Sequence, residues 1–242
     1  MIGSYVSSKS SRKGSGRKLR VAVEGNIASG KSTLLKKLSQ LHDVEVLIEP
    51  VDKWRDIGGS NLIGRMYQDP KRWSYLFQSY VLLTMMELHH KETASPVCML
   101  ERSIFSARFC FIENLHNNGI LDDAEYSCYC KWFEYIMKTN PPHLDLIVYI
   151  RASPEVCYKR LQERGRQEES PVQLSYLESL HECYEEWLGD KAHHQWHGNT
   201  PVLVINGDDD ISKDKMIYAN HSTKIMSSLL PQPPSTVLRE KN

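Results

Sequence analysis

Leu19-Arg20-Val21-Ala22-Val23-Glu24-Gly25-Asn26-Ile27-Ala28-Ser29-Gly30-Lys31-Ser32-Thr33 is the stretch that decides the fold. Leu19 to Glu24 is a short β-branched run of strand length, and Gly25 to Ser32 matches the pattern GxxxxGK[ST]. From Lys31 to Leu41 the pattern is helical. Strand, glycine loop and helix in that order make a phosphate-binding loop. Its backbone N–H groups converge on phosphate oxygens and the helix N-terminus adds partial positive charge, while Lys31 supplies a point charge and Ser32 a hydroxyl suited to Mg²⁺. A chance glycine turn is the competing reading, and the correct flanks on both sides count against it. The loop holds a phosphate without saying where that phosphate goes.

Working outward, four more apolar runs have strand length: Val44 to Ile48, Pro96 to Leu100, Leu144 to Ile150 and Pro201 to Ile205. Helical patterns separate them, so five strands alternating with helices predict an α/β fold with a mostly parallel sheet covered on both faces. Trp73 to Lys91 is long, apolar on one side and free of Gly and Pro, and reads as one long helix. Ser103 to Asn117 and Glu125 to Lys138 read as two more, Ser153 to Arg164 as a helix opened by Ser-Pro, and Leu174 to Leu188 as another.

The 242 residues, 40% of them hydrophobic, suit one large domain, expected over residues 20–230. Residues 1–20 hold six basic residues and no acid, leaving 24 basic against 30 acidic residues beyond them. A folded body with net negative charge argues against a nucleic-acid surface, so no nucleic-acid partner is expected. The segments 1–19 and 231–242 read as disordered tails, the first as either a plain tail or a mitochondrial or nuclear signal. Six cysteines without a CxxC pair read as reduced thiols of an intracellular protein, the cytoplasm being favoured. No apolar run approaches the roughly 18 residues that span a bilayer, so a soluble chain with no membrane partner is expected. His193 to His197 lacks carboxylate or cysteine support and reads as a surface loop rather than a metal site.

Ligands of open parallel sheets sit beyond the carboxyl ends of the strands. Three such places carry charge: Glu49 after the second run, Glu101-Arg102 after the third, and Arg160, Arg164 and Arg166, into which the helix after the fourth leads. A carboxylate there can take a proton from a hydroxyl or hold Mg²⁺, and guanidinium groups can neutralise a transferring phosphoryl group. Each also has a plain reading, as a solvated strand end, a local salt bridge or a charged helix face. Their joint placement favours the functional one. Phe77 and Phe111 fit core packing as well as a binding wall. Gln78 differs, because an amide in an apolar helix needs partners and matches a nucleobase edge.

These segments resemble the deoxyribonucleoside kinases, specifically the branch of insect multisubstrate deoxyribonucleoside kinase and mitochondrial thymidine kinase. The resemblance covers about Arg20 to Leu230 and rests on GNIASGKST at Gly25 to Thr33, EPVDKW at Glu49 to Trp54, MYQDP at Met66 to Pro70, FQSYVLLTM at Phe77 to Met85, ERSIFSARFCFIEN at Glu101 to Asn114 and RGRQEES at Arg164 to Ser170. It implies a P-loop kinase fold with a five-stranded parallel sheet and an Arg-rich lid. It further implies a homodimer, ATP as phosphate donor with Mg²⁺, and feedback inhibition by a deoxynucleoside triphosphate. The implied activity is phosphorylation of thymidine, deoxycytidine and, less well, purine deoxynucleosides at the 5′-hydroxyl, for nucleotide salvage.

Residue by residue, the resemblance makes Glu49 the base at the 5′-hydroxyl with Arg102 beside it. It places Glu101 near the metal, with Ser32, or alternatively in the acceptor role. Gln78 would pair with the base edge, Trp54, Phe77, Val81 and Phe111 would wall the base, and Tyr67 and Glu169 would hold the 3′-hydroxyl. Met85 and Ala107, where relatives that exclude thymidine carry Arg and Asp, would leave room for a 5-methyl group. Arg160, Arg164 and Arg166 would close over the ATP phosphates, and Asp209, Asp210 and Ile211 would border the adenine. Gln162 stands where some relatives have another arginine. Two rival readings are a nucleoside monophosphate kinase, disfavoured by Glu101-Arg102 where an Asp-Arg pair is usual, and a non-catalytic nucleotide-binding protein, for which no loss of catalytic residues speaks.

Overall fold

The computed structural model describes residues 17–189, 200–211 and 214–229. Residues 1–16 and 230–242, which hold most of the two expected tails, and the histidine run at 193–197 lie outside the described residues. Five parallel strands, β1 (Leu19–Glu24), β2 (Val44–Leu47), β3 (Val97–Glu101), β4 (Leu146–Arg151) and β5 (Val202–Asn206), form one sheet in the order β2-β3-β1-β4-β5. Val23 lies opposite Glu101 on β3 and Val148 on β4. The chain therefore switches from one side of β1 to the other between β3 and β4, and the crevice at the carboxyl ends opens there.

The two faces of the sheet bury alternate residues. Val21, Val23, Met99, Val148 and Ile150 pack with Leu34, Leu35 and Leu38 of α1 (Lys31–Leu38) on one face. Ala22, Leu100, Ile147 and Tyr149 face the larger cluster on the other. That cluster is built from α2 (Val51–Arg55), α3 (Leu62–Gln68), α4 (Pro70–His90), α5 (Ile104–Ser106), α6 (Glu113–Asn117), α7 (Asp123–Thr139), α8 (Pro154–Arg164) and α9 (Leu174–Leu188). Each fully buried aliphatic side chain such as Leu34 or Leu177 contributes about 1.5–3 kcal/mol.

The helix ends follow local chemistry. Asp69 accepts the Arg72 N–H at 3.3 Å and Pro70 sits in the first turn of α4, so this helix starts three residues before the expected Trp73. Asp122 and Glu125 form a reciprocal cap that starts α7 before the expected Glu125. Gly165, at φ 62°, ends α8 in a left-handed turn.

Three expectations need correction. The expected Ser103 to Asn117 helix is broken: Ala107–Ile112 form a π-helical turn between α5 and α6. Such a turn takes in one extra residue, and here it leaves Ala107 and Cys110 in the core while Phe111 reaches the cleft. The third strand begins at Val97 and ends on Glu101, so this carboxylate terminates the strand rather than following it. A final helix, α10 (Lys215–Ser228), was not expected, because it buries only His221 and Ile225 and carries little periodic signal.

Candidate active site

The loop after β1 is shaped by glycine. Gly25 has φ 144°, and a Cβ there would lie 2.7 Å from the Ile150 carbonyl oxygen and 2.8 Å from Ser29 Oγ. Asn26 locks the loop to α9 by donating from Nδ2 to the Leu177 carbonyl at 2.8 Å, while its Oδ1 accepts the Ile27 N–H at 2.8 Å. Lys31 Nζ donates to the carbonyl oxygens of Asn26 at 2.6 Å and Gly25 at 3.1 Å. Burial, with Arg102 nearby, pulls the Lys31 amine down to about 7.

Two carboxylates face this loop, Glu101 from the end of β3 and Glu49 from the segment that follows β2. Glu101, the last residue of β3, accepts a short hydrogen bond from the Ser32 hydroxyl. The next residue, Arg102, turns sharply away with φ 60°, a left-handed conformation costly for a side chain of its size. Arg102 Nη1 donates to both oxygens of Glu49, at 2.9 Å and 2.8 Å, its Nε donates to Tyr184 Oη at 3.2 Å, and its Nη2 donates to the Gly25 carbonyl at 3.3 Å. Burial works against the guanidinium charge, yet Glu49 and Tyr184 hold Arg102 well above its ordinary range. The guanidinium also lies 4.9 Å from the centre of the Phe111 ring. Glu101 and Arg102 thus serve different partners, and the expected alternative of a local salt bridge between them is not what forms.

Next to the Glu49–Arg102 pair is a mostly apolar chamber. Trp54 meets Phe77 edge to face at 5.6 Å and donates Nε1–H to Thr84 Oγ1 at 2.9 Å, which fixes the indole. Val81, Tyr67, Phe111 and, unanticipated from sequence, Tyr176 and Met66 complete its walls. Gln78 is 4% exposed and its Oε1 has no protein partner. An unpaired buried amide oxygen costs about 1–3 kcal/mol, which a ligand donor would recover. Burial raises the Tyr67 phenol well above its ordinary range, so it stays protonated and able to donate.

The arginine-rich segment closes the far side. Arg160 donates to the carbonyls of Gly207 at 2.6 Å and of Asp208 and Asp209 at 3.1 Å, joining α8 to the loop after β5. Glu169 gathers Arg164, at 2.6 and 2.8 Å, and Arg166, at 3.4 Å. Across the opening, Arg55 of α2 donates to Glu168, with Nε at 2.9 Å.

One cleft of about 820 Å³ takes in Ile27 to Thr33, Glu49, Trp54, Tyr67, Phe77, Gln78, Val81, Glu101, Arg102, Phe111, Arg160, Arg164, Arg166, Glu169 and Asp209 to Ile211. That volume is within the usual range for small-molecule sites. Gly25 and Asn26 lie beneath it as acceptors for Lys31. Met85 and Ala107, 1% and 3% exposed, are packed in the core and do not line it. Of the functional groups not anticipated, Tyr184 is the partner of Arg102, and no feature of the sequence marks it.

The deoxynucleoside kinase family model matches residues 21–230. Human mitochondrial thymidine kinase 2 is 42% identical over 211 residues, covering 87% of this chain and 79% of that protein. A probable deoxycytidine kinase of fowlpox virus is 36% identical over 214 residues, covering 87% and 86%. The mitochondrial deoxyguanosine kinase of Xenopus laevis is 35% identical over 221 residues, covering 81% and 83%.

Proposed function

We infer that this chain, which belongs to the deoxynucleoside kinase family and is an enzyme that phosphorylates deoxyribonucleosides, works with residues 20–230 as its catalytic domain. In this reading it moves the γ-phosphate of ATP to the 5′-hydroxyl of thymidine and deoxycytidine, and less well of purine deoxynucleosides, for salvage. One observation carries the reading: a single cleft holds the phosphate loop, the Glu49–Arg102 pair and the unpaired Gln78 oxygen.

Glu49, as a carboxylate oriented by Arg102, takes the proton of the 5′-hydroxyl. As that oxygen bonds to the γ-phosphorus, the bond from phosphorus to the β–γ bridging oxygen breaks and ADP leaves. Lys31 and the loop N–H groups hold the donor phosphates, while Arg160, Arg164 and Arg166 offset charge on the group in flight. Ser32 and Glu101 offer a hydroxyl and a carboxylate within hydrogen-bond reach of each other, the hard oxygen donors that suit Mg²⁺. When bound, Mg²⁺ would draw charge from the donor phosphate oxygens. Glu101 sits at Ser32 of the phosphate loop and Glu49 sits beside the apolar chamber, so we assign the proton transfer to Glu49. Gln78 reads the base edge between Trp54, Phe77 and Phe111, and Tyr67 with Glu169 receives the 3′-hydroxyl.

Four exposed hydrophobic side chains, Leu76 and Leu83 of α4 with Trp132 and Tyr135 of α7, support a homodimer. Among the described residues no helix is long and apolar enough to cross a membrane. We place the protein inside the cell. Its basic first 20 residues are the element that would direct it to the mitochondrion, where relatives are named, rather than leave it in the cytoplasm. Feedback inhibition by a deoxynucleoside triphosphate follows from the same cleft, since such a molecule carries both a base for Gln78 and phosphates for the loop. Phosphotransfer from ATP to each of the four deoxynucleosides, with the monophosphate identified as product, tests the reading. Turnover of thymidine and deoxycytidine is expected, and phosphorylation of monophosphates alone would overturn it.

A further inference from the structure

Glu24 is the last residue of β1, is completely buried and does not line the cleft. Its strand neighbours are apolar, and a valine or leucine would fill the same space with no polar atom to satisfy. Its Oε2 has no protein partner. What it does have is Ser103, whose hydroxyl donates to Glu24 Oε1 at 2.5 Å across 79 residues of sequence.

Ser103 follows the strained Arg102. Its Oγ accepts the Phe105 N–H at 3.2 Å, its carbonyl accepts from Ser106 Oγ at 3.1 Å, and the neighbouring Ile104 N–H donates to His89 Nε2 at 3.3 Å. On the other side of the turn, the Arg102 N–H donates to the Val23 carbonyl at 3.0 Å, and Glu101 sits in register with Val23. The left-handed Arg102 is therefore held before and after by the end of one strand, Val23-Glu24. A residue at φ 60° persists where its surroundings over-determine it, and such conformations gather at functional sites.

We propose that Glu24 is a positioning residue for phosphoryl transfer, which through Ser103 fixes the turn that aims Glu101 and Arg102 into the cleft. The proposal rests on the reading that the Glu49–Arg102 pair serves the acceptor. A displacement of about 1 Å in such a pair lowers turnover by up to about a hundredfold.

The test compares Glu24→Ala, Ser103→Ala, the double variant and Glu24→Gln in steady-state kinetics with ATP and thymidine, alongside thermal melts. Glu24→Ala and Ser103→Ala are each expected to lower kcat by about tenfold or more with both KM values within about twofold. The double variant should be no slower than the slower single one, because both act through the same bond. Glu24→Gln, which keeps the acceptor oxygen, should recover to within about threefold of the parent rate. Should Glu24→Ala not fold, the Ser103→Ala and Glu24→Gln pair carries the same comparison. Multiplying losses in the double variant, full kcat in folded Ser103→Ala, or a Glu24→Gln variant as slow as Ser103→Ala would each overturn the proposal. Glu49→Gln, measured in parallel, separates the two ideas: unchanged kcat there would sink the acceptor reading itself, whereas a slow Glu49→Gln beside a normal Ser103→Ala would sink only the role of Glu24.

Discussion

Arg102 Nη1 lies 2.9 Å and 2.8 Å from the two carboxylate oxygens of Glu49, a pair joined across 53 residues and nearly closed to solvent. Removing one partner of a buried pair leaves the other charge uncompensated, at a cost of about 3–5 kcal/mol. Arg102→Leu should therefore lose both stability and turnover, while Glu49→Gln, which removes the charge but keeps one of the two oxygens that accept from Arg102, should lose turnover with a smaller loss of stability. Melting curves and kcat for both variants check this split. Equal melting temperatures for the two would contradict it.

Gln78 should act oppositely on binding and stability. Replacing it by Leu removes a buried oxygen without a partner, so the melting temperature should stay level or rise. The same change deletes the group proposed to read the base, so thymidine kcat/KM should fall by about tenfold to a hundredfold. A variant that is destabilised yet keeps its kcat/KM would show Gln78 to be a packing residue.

Met85 and Ala107 are core residues that do not line the cleft, and the proposed use of thymidine predicts that they bear on substrate choice. Met is flexible and uncharged and Ala is small, and neither opposes a base with a 5-methyl group. Met85→Arg with Ala107→Asp should cut thymidine kcat/KM far more than deoxycytidine kcat/KM, by more than the factor a single methyl group commands, about 1–3 kcal/mol. Because both positions are core, equal losses on the two nucleosides with a lowered melting temperature would mean that they only pack.

Much of this site was legible in the sequence because its chemistry is local. Gly25 to Ser32 specifies its own loop, and Glu49, Glu101 and Gln78 stand out as polar groups at the ends of apolar runs or inside them. Tyr184 and Glu24 were not legible, because their meaning lies in partners 82 and 79 residues away, brought together by strand register and the packing of α9. The π turn at Ala107–Ile112 escaped for another reason. Its residues suit an ordinary helix, and only the extra residue that swings Phe111 toward Arg102 distinguishes it.

Glu24 should leave a pH signature in stability. Burial raises its carboxyl from 4.5 to about 7, partly offset by Ser103, Ser106 and Arg102. Between those values the folded chain keeps a proton that the unfolded chain has released, so this group costs stability as pH rises through that window. The full cost, reached above about pH 7, is on the order of 3 kcal/mol. Glu24→Gln lacks the titration, so its melting temperature relative to the parent should climb from pH 4.5 to 7 and then level off. A constant difference across that range would contradict the assignment.

The exposed Leu76, Leu83, Trp132 and Tyr135 should lie at a contact between two copies of the chain. Light scattering at micromolar concentration should give twice the 27.9 kDa of one chain, and Leu83→Glu should weaken that association. A mass near 27.9 kDa for the parent protein would rule the dimer out.

The most direct measurement is the turnover of Glu49→Gln with saturating ATP and thymidine, set beside its ATP affinity. The side chain keeps its shape and one of its two acceptor oxygens for Arg102 but can no longer take the hydroxyl proton. The account predicts that kcat falls by about a hundredfold or more while ATP binding stays within about twofold. An unchanged kcat would contradict it and pass the role of proton acceptor to Glu101.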